Sequence, residues 1–180
     1  MNRLGKIPDS VPAASRELLE WIGTVSPSGQ PFPLHRQMAI SPSTLAGYVA
    51  LRQAADNVSI SPRLGYLIMA AASAPLATKA SSFAQETMTM LAEKVGWTAE
   101  EIGAVNHGEH LGDERNDAIV DLAREAAAHS GAVRTSTWDK ALSAGWSKGE
   151  LADAFALIIN AAFTAFFCNY VEFSPASDGD

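Results

Sequence analysis

The chain has 180 residues, 47% hydrophobic and 18% charged, with 13 Gly and 9 Pro. This length suits one domain, and the apolar content excludes a disordered or low-complexity linker protein. The net charge of −7 is uneven: residues 1–100 hold eight Lys/Arg and seven Asp/Glu, whereas residues 101–180 hold five and thirteen. No basic stripe exists, so nucleic acid is excluded as a partner, because phosphate binding needs clustered Lys and Arg. Charged residues are scarcer than the usual fraction of about 25%, which predicts that part of the surface is covered by another subunit.

Alanine occurs 32 times and no segment has the pattern of a strand, so the expected fold is all-α with closely packed helices. The single cysteine, Cys168, cannot form an intrachain disulfide, a CxxC redox pair or a zinc site. We therefore expect a cytoplasmic protein without metal or cofactor. The first twenty residues lack the continuous apolar core of a signal peptide. The apolar stretch from Ala154 to Cys168 is interrupted by Asn160 and Thr164 and falls short of the roughly 20 residues of a membrane span. It reads as a buried helix, with no membrane partner.

In chain order, Pro12 opens a helix in which Leu18, Leu19 and Ile22 are the apolar positions, and the Pro/Gly/Ser-rich stretch from Pro27 to Pro33 closes it. Ser41-Pro42 starts a helix with Leu45, Tyr48, Val49 and Ala55 on one face, and Ser61-Pro62 starts another with Leu64, Leu67, Ile68 and Ala71, ending near Pro75. A helix from Ala80 to Val95 is closed by Gly96, and Thr98-Ala-Glu-Glu101 is a capping box that opens a short helix. Residues 107–112 read as a turn, residues 114–128 and 135–144 as helices, and Ser147-Lys-Gly-Glu150 as a second capping box before the long apolar helix.

The two boxes belong to a larger repeat. Gly96-Trp97-Thr98-x-x-Glu101-Ile102 and Gly145-Trp146-Ser147-x-x-Glu150-Leu151 match at a constant offset of 49 residues, which implies two related α-hairpins.

The segment order carries a resemblance. Arg3-Leu4, Lys6-Ile7-Pro8, the run from Leu34 to Pro42, Ser61-Pro62-Arg63-Leu64, the run from Ala92 to Ile102, and Asn160 with Phe163-Thr164 and Phe166-Phe167 together resemble the carboxymuconolactone decarboxylase and alkylhydroperoxidase D-like (AhpD-like) family. The resemblance covers nearly the whole chain. It implies an oligomeric all-α bundle, a homodimer, trimer or hexamer, formed by residues 1–180 as one domain with residues 1–60 as an N-terminal helical extension packed on it.

Peroxidase members of that family carry C-x-x-C-x-x-x-H before the glycine turn. Carried onto this chain, those positions hold Ser81, Ala84 and Met88, and the family's glutamate falls at Tyr66 or Met69. Serine is not a redox-active nucleophile at neutral pH, so thiol peroxidase chemistry is excluded on that helix. The resemblance leaves a protein that acts on or binds a small organic molecule in an apolar pocket lined by Tyr66, Met69, Ser81, Ala84 and Met88. The alternative is a non-catalytic structural or ligand-binding homologue.

The remaining candidates were weighed residue by residue. Glu86 is the candidate acid/base, although helical geometry turns it about 160–200° away from Met88, towards solvent. Ser81 and Ser82 fit a helix N-cap better than a nucleophile, because no G-x-S-x-G elbow or neighbouring histidine accompanies them. His107 and His110, with Glu109 and Asp113, are possible polar contributors, but their spacing lacks the i, i+4 geometry of a metal site. His35-Arg36 fits a solvated helix start or an anion contact at a pocket mouth. Asn160 and Thr164 share one face of an apolar helix and must find buried hydrogen-bond partners.

Overall fold

The computed structural model describes residues 2–173, and these contain helices and turns with no strand among them. Proline sets three of the starts. The N-cap hydroxyls of Ser41 and Ser61 accept from Thr44 N and Leu64 N, with Pro42 and Pro62 at the first helical position, where no N–H is required. The elements are α1 (Ala13–Val25), α2 (Pro33–Met38), α3 (Pro42–Asp56), α4 (Pro62–Ser73), α5 (Ser82–Lys94), α6 (Ala99–His107), α7 (Glu114–Ala128), α8 (Thr135–Ser143) and α9 (Lys148–Val171), with 3-10 turns at Ala74–Leu76 and Lys79–Ser81. All but α2 follow the sequence-predicted pattern, and all the apolar positions expected of α3 and α4 are buried.

Helix α4 runs through the centre, packed against α5, α7 and α9. Small residues permit this crowding: Ala70, Ala71 and Ala72 are sealed, and Gly65 faces the Leu157 side chain. Leu67 and Ile68 are fully enclosed beside them, each burial contributing roughly 2 kcal/mol. With α6, α7, α8 and the first half of α9, this helix forms one apolar core.

A second core gathers Ile22, Leu34, Met38, Leu45, Tyr48 and Val49 of α1, α2 and α3 against Cys168 and Val171 near the end of α9. The N-terminal strand of chain is tied to the same end: Arg3 N donates to Val171 O at 2.7 Å, and its guanidinium meets Glu172 Oε1 at 2.8 Å. The N-terminal three helices are thus a layer laid over the α4/α5/α9 body.

The repeat is broader than a hairpin. Trp97 Nε1 donates to Arg63 O at 2.8 Å across 34 residues, and Trp146 Nε1 donates to Arg115 O at 2.7 Å across 31. Each arginine is the second residue of its helix, α4 or α7, and each lies 4.0 Å from the ring of its tryptophan. Both capping boxes form as expected. Gly96 and Gly145 have φ values of +96° and +92°, the left-handed geometry that lets the chain leave α5 and α8 and enter the capped helix. Three-helix units, α4–α5–α6 and α7–α8–α9, are therefore the related objects.

The apolar stretch of Ala154 to Cys168 lies within the 24-residue α9, which opens at the Ser147 capping box as expected. By length and composition α9 could cross a membrane; half of its most apolar window is buried in the fold.

Candidate functional site

A cavity of about 50 Å3, open at one side, lies between the N-terminal layer and the α4/α5/α9 body. Its walls are mostly apolar: Trp21, Ile22 and Val25 from α1, Leu34 from α2, Phe83, Ala84, Met88 and Leu91 from α5. The polar groups come from other directions, His35 from α2, Tyr48 and Arg52 from α3, Tyr66 and Ser73 from α4, Thr87 from α5, and Asn160 and Thr164 from α9.

Local structure fixes several of these. His35 is 6% exposed, and its Nδ1 accepts the Phe32 backbone N–H at 3.2 Å while its ring packs 4.8 Å from that of Tyr48. An Nδ1 that accepts leaves the proton on Nε2, so the imidazole is neutral. Burial, helped by the nearby Arg52 charge, pulls its pKa down to about 4. Burial likewise pushes the Tyr48 phenol up to about 12, against the opposing pull of Arg52. Tyr48 and Arg52 are one turn apart on α3 and therefore share a face.

Arg52 bridges two partners. Its Nε donates to Asp56 Oδ2 at 3.1 Å and its Nη2 lies 2.9 Å from Asp56 Oδ1, while Nη2 also donates to Tyr66 Oη at 3.3 Å. On the facing helix, Asn160 is 3% exposed; its Nδ2 contacts Met69 Sδ at 3.6 Å, and its Oδ1 is buried with no partner among the described residues. Thr164 returns its hydroxyl to Asn160 O, Ser73 to Met69 O and Thr87 to Phe83 O, so these three hydroxyl protons are spent on their own helices.

Of the residues singled out from sequence, Tyr66, Ala84 and Met88 meet in this cavity. Met69 is buried one layer away, facing a separate shallow groove beside Asp56 and Leu157. Ser81 is buried too, but its hydroxyl is held by the turn before α5, where it accepts Thr78 N at 2.7 Å, so it does not line the cavity. Glu86 is exposed on the outer side of α5 and outside the cavity wall, as its helical phase requires. His107 and His110 are exposed at the other end of the fold, bonded to Gly103 O and Asp121 respectively, away from the cavity lining. No group of three or more His, Cys, Asp or Glu able to hold a metal is found among the described residues.

The sequence reading missed Tyr48 and Arg52 as site residues and has His35 only as a solvated helix start or a contact at a pocket mouth. Tyr48 was visible only as an apolar position of α3. His35 belongs to a six-residue helix opened by Pro33 inside a stretch that reads as loop, and it is buried where a solvated helix start was expected; Arg36 beside it is exposed and bonded to Pro8 O and Asp9 O.

Cys168 is fully enclosed, and burial pushes its thiol up to about 12. It is a small apolar packing residue here. No protein-family model matches the chain, and no curated protein matches it.

Proposed function

We propose that this protein is an AhpD-like helical protein, similar to the carboxymuconolactone decarboxylases, that holds a small and mainly apolar organic molecule in the cavity beneath α1, α2 and α3, without thiol peroxidase activity. The observation that carries this reading is a mainly apolar cavity on which a few polar groups, His35, Tyr48 and Tyr66, converge, the usual composition of a small-molecule site. The motif order and the doubled three-helix unit support the AhpD-like assignment.

Binding is favoured over conversion because burial pushes two of the lining groups, His35 and Tyr48, away from neutral pH. A general acid or base works best with a pKa close to the operating pH. His35 at about 4 and Tyr48 at about 12 both lie far from it. Glu86, the carboxylate that a decarboxylase-like reading would recruit, lies outside the cavity.

The test is to purify the chain, identify any small molecule released on denaturation by mass spectrometry, and repeat with Ala84→Phe, which fills the cavity from α5. A small molecule recovered from the native chain and lost from the variant is expected. Equal recovery from both, or failure of both to bind any member of a panel of small apolar compounds, would reject the reading.

A further inference from the structure

The polar groups inside the cavity carry a chemical preference that their positions make specific. Two of them hold bonding capacity that no described residue uses: His35 Nε2–H, which can only donate, and the Tyr66 hydroxyl proton, whose oxygen already accepts from Arg52. Neither is charged. Arg52 is the sole Lys or Arg in the described wall, and it is committed to both carboxylate oxygens of Asp56. Asp56 itself stands outside, exposed, lining the shallow groove on the far side of Arg52 and Tyr66. Arg52 and Tyr66 are thus a partition: cavity on one side, counter-ion on the other.

Resting on the binding reading above, we propose that the cavity selects an uncharged molecule, a small apolar body bearing one carbonyl or hydroxyl group, over the corresponding carboxylate. A ketone or ester oxygen can accept the Tyr66 proton, which the Arg52 contact to the same oxygen polarises. A carboxylate meets the opposite situation. Its charge must leave water for apolar walls, and its nearest cation is already neutralised. The selectivity therefore follows from Asp56, a residue that never touches the ligand.

Acetophenone and benzoate share a ring and differ in this one respect, so they are the probes. Titration of the full chain with each at neutral pH, followed by calorimetry or ligand-observed NMR, should show acetophenone binding at least tenfold more tightly than benzoate. Tyr66→Phe should weaken acetophenone several-fold with little change for benzoate. Asp56→Asn, an exposed and nearly isosteric change, should strengthen benzoate at least several-fold by leaving the Arg52 charge uncompensated. Benzoate binding as tightly as acetophenone, or unmoved by Asp56→Asn, overturns the proposal while leaving the cavity a binding site. If neither probe binds, nor any other member of the neutral panel, the binding reading itself fails and this inference falls with it.

Discussion

The Arg63 guanidinium lies 4.0 Å from the Trp97 ring, and Trp97 Nε1 donates to the Arg63 carbonyl at 2.8 Å, so the tryptophan after α5 clamps the first turn of α4. Arg115 and Trp146 reproduce the clamp between α7 and the start of α9. In the second copy the arginine also reaches the capping-box glutamate, Glu150, at 2.8 Å. Arg115 thereby fastens α7 to the turn and cap that open α9, its guanidinium meeting the Trp146 ring and Glu150 while its backbone carbonyl accepts from the indole.

Replacing Trp97 or Trp146 with Phe keeps a ring beneath the arginine and removes the indole donor, leaving a helix-start carbonyl without its partner. The expected loss is about 1–2 kcal/mol for each variant, read from urea unfolding midpoints. Ser147→Ala and Thr98→Ala, which delete the hydroxyl half of each capping box, should each cost about 1 kcal/mol. Clamps without energetic weight would leave all four midpoints at the wild-type value.

Much of this architecture was legible in the sequence because it is local. Ser-Pro starts, capping boxes and glycine stops are decided within a turn of chain, and the spacing of Leu64, Leu67, Ile68 and Ala71 identifies the buried face of α4 directly. Tyr66, Ala84 and Met88 were reachable by position, since α4 and α5 are long regular helices. His35 was not, because its burial depends on α1 and α3 closing over a single short turn of helix. Arg52 and Asp56 are an i, i+4 pair within α3, but the bond from Arg52 to Tyr66 joins α3 to α4 across a loop, and no periodicity encodes it. Glu86 illustrates the reverse: its phase on α5 already pointed outward, and outward is where it lies.

Stability should fall on mild acidification because of His35. In the folded chain its pKa is about 4, against 6.5 for the unconstrained side chain. Between those values the unfolded chain holds the extra proton, so stability is full above about pH 6.5 and declines as the pH drops towards 4. The depression corresponds to about 3 kcal/mol. Glu125, held down to about 2 by its bond to Arg134 with Thr137 assisting, weakens the fold only at lower pH, below about 4.5. His35→Asn places an amide oxygen where Nδ1 accepts the Phe32 N–H, and should flatten the slope between pH 6.5 and 4.5. A slope unchanged by this substitution would assign the acid sensitivity elsewhere.

Peroxide should not be consumed. The one thiol is enclosed between α9 and the N-terminal layer with its pKa raised to about 12, so its thiolate is vanishingly rare at neutral pH and peroxide has no path to it. Incubation with hydrogen peroxide and a dithiol reductant should give the background rate, and Cys168→Ala should match the wild type in this assay. Turnover that disappears in Cys168→Ala would show that α9 opens enough to expose the sulfur.

The charge deficit noted at the outset calls for a covered surface, and α9 presents one. Phe155, Phe166 and Tyr170 are 55%, 55% and 75% exposed along a helix whose other side is the core, an unusual concentration of exposed aromatic area. Self-association through this face would bury it. Sedimentation equilibrium at micromolar concentration should therefore give a mass at a multiple of 19.0 kDa. Phe166→Glu, which puts a charge into the middle of the stripe without touching the cavity, should shift the population to the monomer. Circular dichroism should remain helical in that variant, since the side chain stands outside both cores. A wild-type chain that sediments as a monomer would leave α9's aromatic face, and the low surface charge, to be explained by a different partner.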